Sequence, residues 1–200
     1  MSMRTRRFVQ SVVYLPHFIS WVIIVSLFQQ MLGGSGTLSA WSRGLGLPGL
    51  NVMSDPDLFK WLITVELIWK ETGWGTIIYL AALLSIDVSL YEAAAVDGAG
   101  PWGRFWHVTL PGLLSITILL LILRLGQILS VGFEQILLQR DFVGAPAAEV
   151  IDTFVYFHGV VGGQWGVTAA AGLLKGVVGA VLVIGANHLA HRFGQSGVFE

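Results

Sequence analysis

Residues Ser89–Pro111 read SLYEAAAVDGAGPWGRFWHVTLP and separate two long apolar segments of a 200-residue chain. Helix-forming residues from Leu90 to Val96 predict a first short helix. Gly98, Gly100 and Pro101 should then break it, and a second short helix is expected over 102–108. Pro111 suits the first turn of the next apolar segment, because its missing N–H is not needed there. The pattern predicts a helix–turn–helix elbow whose apolar side chains need a partner surface.

The composition outside this loop is that of a membrane protein. Apolar residues make up 54% of the chain and charged residues 12%, with a mean hydropathy of +0.74, whereas about 25% charged is usual in soluble domains. The formal net charge of −1 offers no basic surface for nucleic acid. The absence of cysteine excludes disulfides, cysteine-ligated zinc, iron–sulfur clusters and a thiol nucleophile.

Four segments approach the roughly 20 residues that cross a bilayer. They predict an all-α, single-domain membrane helix bundle covering residues 1–200, with spans at about 8–32, 59–86, 113–133 and 165–190 and a connecting loop at 87–112. The first segment follows arginines as a signal peptide would. However, it exceeds the usual apolar core of about 7–15 residues and lacks an Ala-x-Ala site. Within the second segment, Glu66 and Lys70 are spaced to pair at i,i+4.

The basic residues predict the orientation of these spans. Four crossings put both termini on one side, and more lysine and arginine belongs on the cytoplasmic side. The terminal side holds Arg4, Arg6, Arg7, Arg104 and Arg192, against Arg43, Arg140 and the boundary residue Lys60 on the other. We therefore expect cytoplasmic termini and a cytoplasmic loop at 87–112.

The loop resembles the EAA motif of binding-protein-dependent ABC importer permeases. Glu92-Ala93-Ala94, three residues, Gly98, nine residues and then a hydrophobic-x-Leu110-Pro111 ending reproduce the motif and its spacing. The strings YLPHFISWV, IWKETGWGTIIYLAALLSID, VGFEQILL and VIDTFVY resemble the branch that imports polysaccharides and oligosaccharides. The likeness extends over roughly residues 4 to 200.

The resemblance implies a subunit that moves a carbohydrate inward and performs no covalent chemistry. It implies two cytoplasmic ATPase subunits, a second similar permease and an extracytoplasmic solute-binding protein as partners, in the bacterial plasma (inner) membrane. No cofactor is implied. The loop would be a coupling helix seated in the ATPase, carried by Glu92, Ala93, Ala94, Asp97, Gly98, Gly100, Leu110 and Pro111. Family members carry one or two helices before the matching start, so we expect an N-terminally truncated subunit.

Two other interpretations of the loop come from the residues themselves. Ser89-x-x-Glu92 is also a capping box, in which Glu92 would fold back on its own helix. Gly98-x-Gly100-x-x-Gly103 has the form of a dinucleotide fingerprint, but it follows a helical stretch and contains Pro101. No phosphate-binding Gly-x-x-x-x-Gly-Lys-Ser/Thr sequence occurs, so ATP must be hydrolysed by another polypeptide.

Charges inside spans are costly and should face a cavity, the interior or a partner. Arg124 and Lys175 are the clearest cases, with Glu134 as a possible counter-charge. We expect part of a sugar path to be lined by Arg124, Gln127, Ser130, Glu134 and Gln135. The alternative is that these residues form an inter-helix hydrogen-bond network.

Other features favour structural roles. Gly172, Gly176 and Ala180 recur every four residues and predict a smooth ridge for helix packing. His188 and His191 lack a neighbouring carboxylate, so no metal site is expected. His17 beside Pro16 is interpreted as a donor that fills a helix kink.

Two different classes of protein remain as alternatives. An ion-coupled secondary transporter would use Glu66, Lys70, Arg124 and Lys175 as a relay. A membrane-embedded hydrolase would need a convergent catalytic set, which the spacing of the five histidines does not provide.

Overall fold

The computed structural model describes residues 3–130 and 132–192, with Gly194 and Gly197. These residues form helices and turns and contain no β-strand. The α-helices are α1 Met3–Phe18, α2 Trp21–Leu32, α3 Thr37–Gly44, α4 Pro56–Ser85, α5 Val88–Val96, α6 Pro101–Arg104, α7 Leu110–Gly126, α8 Phe133–Val143, α9 Ile151–Phe154 and α10 Trp165–Arg192. A 3-10 turn lies at Val52–Ser54, and π-helical segments follow α6 at Phe105–Thr109 and α9 at Val155–Val161.

Membrane-length apolar helices confirm the all-α polytopic class. Trp21–Gly44, Pro101–Gly126 and Trp165–Arg192 are each long and apolar enough to cross a bilayer. Pro56–Ser85 and Val88–Val96, which meet at a 65° bend, together supply a fourth candidate. The described residues therefore hold three or four such helices, in agreement with the expected four.

The chain divides into two compact units. The first consists of Met1–Trp74 and Ser130–Ala171, and the second of Gly75–Leu129 and Gly172–Glu200. In the first unit, α2, α4 and α8 enclose two apolar clusters. One is built on Val25, Met53 and Leu62, and the other on Phe59 and Ile136. In the second unit, α7 and α10 meet at Gly126 and Gly179.

The first predicted span, 8–32, is two helices. Helix α1 ends at Phe18, and Ser20 begins α2 by accepting a hydrogen bond from the N–H of Ile23 at 3.4 Å. The prediction of a single span with a kink at Pro16 and His17 overlooked this serine, whose side chain favours the start of a new helix. The break lies beside the buried Pro16.

The second predicted span is one unbroken helix of 30 residues, α4. Its charges do not pair as expected. Glu66 accepts hydrogen bonds from Gln135 and Gln139, whereas Lys70 donates to main-chain carbonyls at the end of α1. The i,i+4 interpretation was wrong because groups on other helices are within hydrogen-bonding distance of each side chain.

The third predicted span, 113–133, begins and ends earlier in the structure. The helix runs from Pro101 to Gly126, and Gln127 is its C-cap. Gly132 adopts a left-handed conformation with φ of +50°, and α8 begins at Phe133. The sequence contains no sign of this turn, because apolar residues such as Ile128 and Leu129 continue through it. Val131 lies outside the described residues. The fourth predicted span, 165–190, falls within α10.

Candidate functional site

The elbow, residues 87–111, begins with Asp87 as the N-cap of α5. The main-chain N–H of Ser89 donates a 2.9 Å hydrogen bond to the Asp87 carboxylate. This bond, together with one from the Ser89 side chain, holds the pKa of Asp87 below its ordinary value. Capping by Asp87 starts the helix at Val88, two residues before the predicted Leu90.

This start position excludes the capping-box alternative. Ser89 is already inside α5, so its side chain does not cap the helix, and Glu92 lies in the middle of the helix with its side chain exposed. The carboxylate of Glu92 is thus presented to the surroundings of the elbow.

Gly98 ends α5 as the sequence predicts. Its φ of +81° lies in the left-handed region that glycine adopts without strain. The N–H of Ala99 donates to the carbonyl of Ala94 at 2.9 Å, and the N–H of Gly98 donates to the carbonyl of Ala95 at 3.1 Å. This pair of bonds satisfies helix-end carbonyls. Gly100 and Pro101 then begin α6.

The second half of the elbow differs from the expected short separate helix. Helix α6 continues through the π-helical segment into α7, and the N–H of Leu110 donates to the carbonyl of Phe105, five residues earlier. Pro111 has no N–H for the usual four-residue bond, which is compatible with this wider turn. The hydroxyls of Tyr91 and Thr109 lie 3.0 Å apart and join α5 to the π-helical segment.

The elbow carries an apolar surface. Val96 and Trp102 are 88% and 75% exposed. The other large exposed apolar side chains of the elbow are Val88, Leu90, Phe105, Trp106 and Leu110. Ala93 is exposed beside Glu92, and a side chain added at Gly98 or Gly100 would meet no atom within 4 Å. We call Val88, Leu90, Glu92, Val96, Trp102 and Trp106 the elbow surface.

The predicted sugar-path residues fall into both units. Arg124, in the last turn of α7, and Gln127, its C-cap, belong to the second unit, and both are exposed. Ser130 and Glu134 belong to the first unit and are also exposed. Gln135 is 2% exposed and donates hydrogen bonds to Glu66 and to the carbonyl of Ile63, which are contacts of the kind that the alternative, an inter-helix hydrogen-bond network, describes.

The predicted ridge on α10 is uncovered within the described residues. Gly172, Gly176 and Ala180 are exposed, and a Cβ atom at either glycine would meet nothing within 4 Å. Helix α7 instead approaches Gly179, where a Cβ atom would lie 3.1 Å from the carbonyl oxygen of Gly126. Close contact without side chains explains why glycine occurs at both positions of this crossing.

The histidines have different surroundings. His188 and His191 are exposed near the end of α10, and the described residues bring together no group of three His, Asp or Glu that could hold a metal. His17 does not fill the helix break with its ring. The ring stacks on Trp74, with centroids 5.1 Å apart, and its Nδ1 lies 3.7 Å from Glu71.

The break between α1 and α2 contains the main feature that sequence reasoning missed. Lys70 Nζ donates to the carbonyls of Pro16, His17 and Ile19 and lies 5.4 Å from the Trp21 ring centre. A cation suits this position, because helix C-termini present unpaired carbonyls and negative potential. Ser20, which follows Pro16 after three intervening residues, was the sequence signal for this break.

Comparison with known proteins places the chain in a family. Residues 2–195 match the family described as "Binding-protein-dependent transport system inner membrane component". The chain is 44% identical to the protein LplB of Bacillus subtilis and 42% identical to the polygalacturonan/rhamnogalacturonan transport system permease protein YteP of the same species. Each match covers 97% of this chain and 61% of the relative, so the chain spans about three fifths of their length.

A solved structure has the same fold. One chain in the crystal structure of a bacterial alginate ABC transporter, in complex with an alginate pentasaccharide-bound periplasmic protein, matches with a TM-score of 0.89. The identity is 39%, and the match covers 99% of this chain and 69% of that one. Family match, relatives and fold agree: the chain belongs to the inner membrane components of binding-protein-dependent transport systems.

Proposed function

We propose that the chain is a transmembrane permease subunit of an ABC importer that moves an oligosaccharide or related carbohydrate into the cytoplasm. Family membership, the permease names of its relatives and the membrane-length helices support this role. The subunit provides a path and carries out no covalent reaction. It resides in the bacterial inner membrane with both termini in the cytoplasm, as the basic residues predict.

The elbow is the observation that carries the proposal. It presents the exposed carboxylate of Glu92 among large apolar side chains that the described residues leave exposed. An ATPase subunit with an apolar groove and a basic group would bury this surface and pair with Glu92. Ala93 keeps that part of the helix thin enough to enter the groove.

The geometry of the elbow suits transmission of force. Helix α5 follows α4 at the 65° bend, and α6 continues into α7 without interruption. Movement of the elbow by an ATPase closing on ATP would therefore act directly on two membrane-length helices. Within this scheme Asp97, Gly98 and Gly100 shape the turn, and Leu110 and Pro111 begin α7.

The proposed assembly contains two ATPase subunits, a second homologous permease and an extracytoplasmic solute-binding protein. The related alginate transporter was crystallised with a sugar-bound periplasmic protein, and YteP is named for polygalacturonan and rhamnogalacturonan transport. These names support a carbohydrate substrate for this chain.

Exposed polar and aromatic side chains of each unit are candidate sugar contacts. Arg124, Gln127, Ser130 and Glu134 offer donors and acceptors for hydroxyl groups. Trp74, 46% exposed and backed by the His17 ring, offers an apolar ring face of the kind found in ligand sites. It lies beside a broken helix, which is where transporters often place substrate sites.

The decisive experiment measures ATP hydrolysis and sugar uptake in proteoliposomes that contain the assembled transporter. Glu92→Ala and Gly98→Pro are each expected to lower uptake at least tenfold while hydrolysis continues. Asp141→Ala, which removes an exposed carboxylate of α8, is the matched control and should behave as wild type.

Wild-type uptake in both elbow variants would refute the coupling role. Uptake that follows a proton gradient with no ATPase bound would support the ion-coupled alternative instead.

A further inference from the structure

A polar cluster lies inside the first unit. Glu66 of α4 is 0% exposed, and Gln139 and Gln135 of α8 are 0% and 2% exposed. Both glutamines donate from Nε2 to the same carboxylate oxygen, Glu66 Oε2, and the Gln135 distance is 2.8 Å. Gln135 Nε2 also donates to the carbonyl of Ile63 at 2.9 Å.

Two oxygens of this cluster are left over. Glu66 Oε1 and Gln139 Oε1 are buried and receive no hydrogen bond from any described residue. The other polar atoms of these two side chains, Gln139 Nε2 and Glu66 Oε2, are hydrogen-bonded to each other. Two buried acceptors without donors are unfavourable, because buried polar atoms normally have partners.

No cation among the described residues compensates an ionised Glu66. On the same helix, the Lys70 ammonium is turned to the carbonyls of the helix break. On α8, the Arg140 guanidinium lies over the Phe157 ring and binds Glu149, while Glu134 and Asp141 are exposed. Helix α2, which packs against α8, contains no titratable residue. An ionised carboxylate buried without a counter-charge would be costly.

We propose that Glu66 is protonated in the folded protein and that its Oε1 hydroxyl donates to Gln139 Oε1. Protonation converts Glu66 Oε1 from an acceptor without a partner into a donor, and it gives Gln139 Oε1 a hydrogen bond to accept. Glu66 and Gln139 form a cyclic acid–amide pair, with one hydrogen bond running in each direction. The pair joins α4 to α8 inside the first unit without burying a charge.

Infrared spectroscopy of the full chain in reconstituted membranes tests this assignment. A protonated carboxyl has a carbonyl stretching band separate from those of a carboxylate. The wild-type spectrum minus that of Glu66→Gln should contain this acid band, and the band should shift in heavy water. The substitution should fold, since the new amide can make the same two hydrogen bonds to Gln139.

A difference spectrum with carboxylate bands alone would overturn the proposal. An ionised Glu66 joined to Gln139 by a bridging water would give that spectrum. Gln139→Leu is a second test that retains the carboxyl. The acid band should move to the frequency of a carboxyl without its amide partner, and an unchanged band would also overturn the pairing.

Discussion

Lys70 Nζ donates a 2.9 Å hydrogen bond to the main-chain carbonyl of His17, which lies on a different helix and 53 residues earlier. The same ammonium serves the carbonyls of Pro16 and Ile19. One side chain of α4 thus supplies hydrogen-bond donors to carbonyls at the end of α1, where the first predicted span breaks. The break is therefore stabilised by a specific contact from another helix.

Replacing this ammonium should destabilise the first unit. Lys70→Met keeps the length of the side chain but leaves buried and partly buried carbonyls without a donor, at a cost on the order of 2 kcal/mol. Denaturant unfolding in detergent measures the loss. Lys60→Met, at an exposed position of the same helix, is the control and should change stability little. Equal stability of the two variants would contradict the capping role.

Gly98→Ala should destabilise the elbow through backbone strain alone. A residue with a Cβ atom adopts the φ of +81° at a cost of about 1 kcal/mol. The space around Gly98 is open, so the added methyl group causes no collision. Gly176→Ala, in an open helical position of α10, should be neutral or slightly stabilising. Thermal unfolding of both variants compares the two. A neutral Gly98→Ala would show that the turn does not need a left-handed residue.

Asp87 should titrate below an ordinary aspartate, since the Ser89 bonds favour its charged form. A group with a lowered pKa in the folded state stabilises that state above its unfolded pKa of about 3.9, and this contribution is lost as the pH falls through the folded value. The carboxyl carbon shift of Asp87, followed by NMR against pH, reports the midpoint. Ser89→Ala removes one of the two bonds and should raise the midpoint part of the way. A midpoint unchanged by Ser89→Ala would exclude the side-chain contribution.

The two faces of α10 should respond differently to large side chains. Gly179→Leu would collide with the carbonyl of Gly126 and should cost about 1–3 kcal/mol. Gly176→Leu enters open space, so the chain should fold normally. If the ridge receives a helix of the second permease, Gly176→Leu should instead reduce co-purification of that subunit. Normal co-purification with Gly176→Leu would assign the ridge to lipid.

The elbow illustrates what local patterns can predict. Gly98, Gly100 and Pro101 specify a break in almost any surroundings, because their backbone preferences are intrinsic. The helix start was displaced by two residues, since Asp87 and Ser89 both have capping side chains and only the folded geometry selects between them. The continuous path into α7 was also missed, because Pro111 is accommodated by a π-helical turn that has no clear sequence signature.

The polar residues inside the spans were harder to predict. Glu66 and Lys70 have suitable spacing for an ion pair, yet their partners lie 73 and 53 residues away in the chain, at Gln139 and His17. Gln135 was assigned to a sugar path, but it faces the core of the first unit. Pairing of this kind depends on which helices become neighbours.

The sequence by itself determined the membrane class, the all-α architecture, the family and the position of the elbow. Each of these follows from composition, from the length of apolar runs or from a motif of fixed spacing, all of which are local or additive properties of the chain. Only the tertiary structure decided where the first span breaks, where the third ends and which groups form hydrogen bonds with Glu66 and Lys70. Those outcomes depend on long-range hydrogen bonds, because a buried polar group takes whichever partner the packed helices bring within reach.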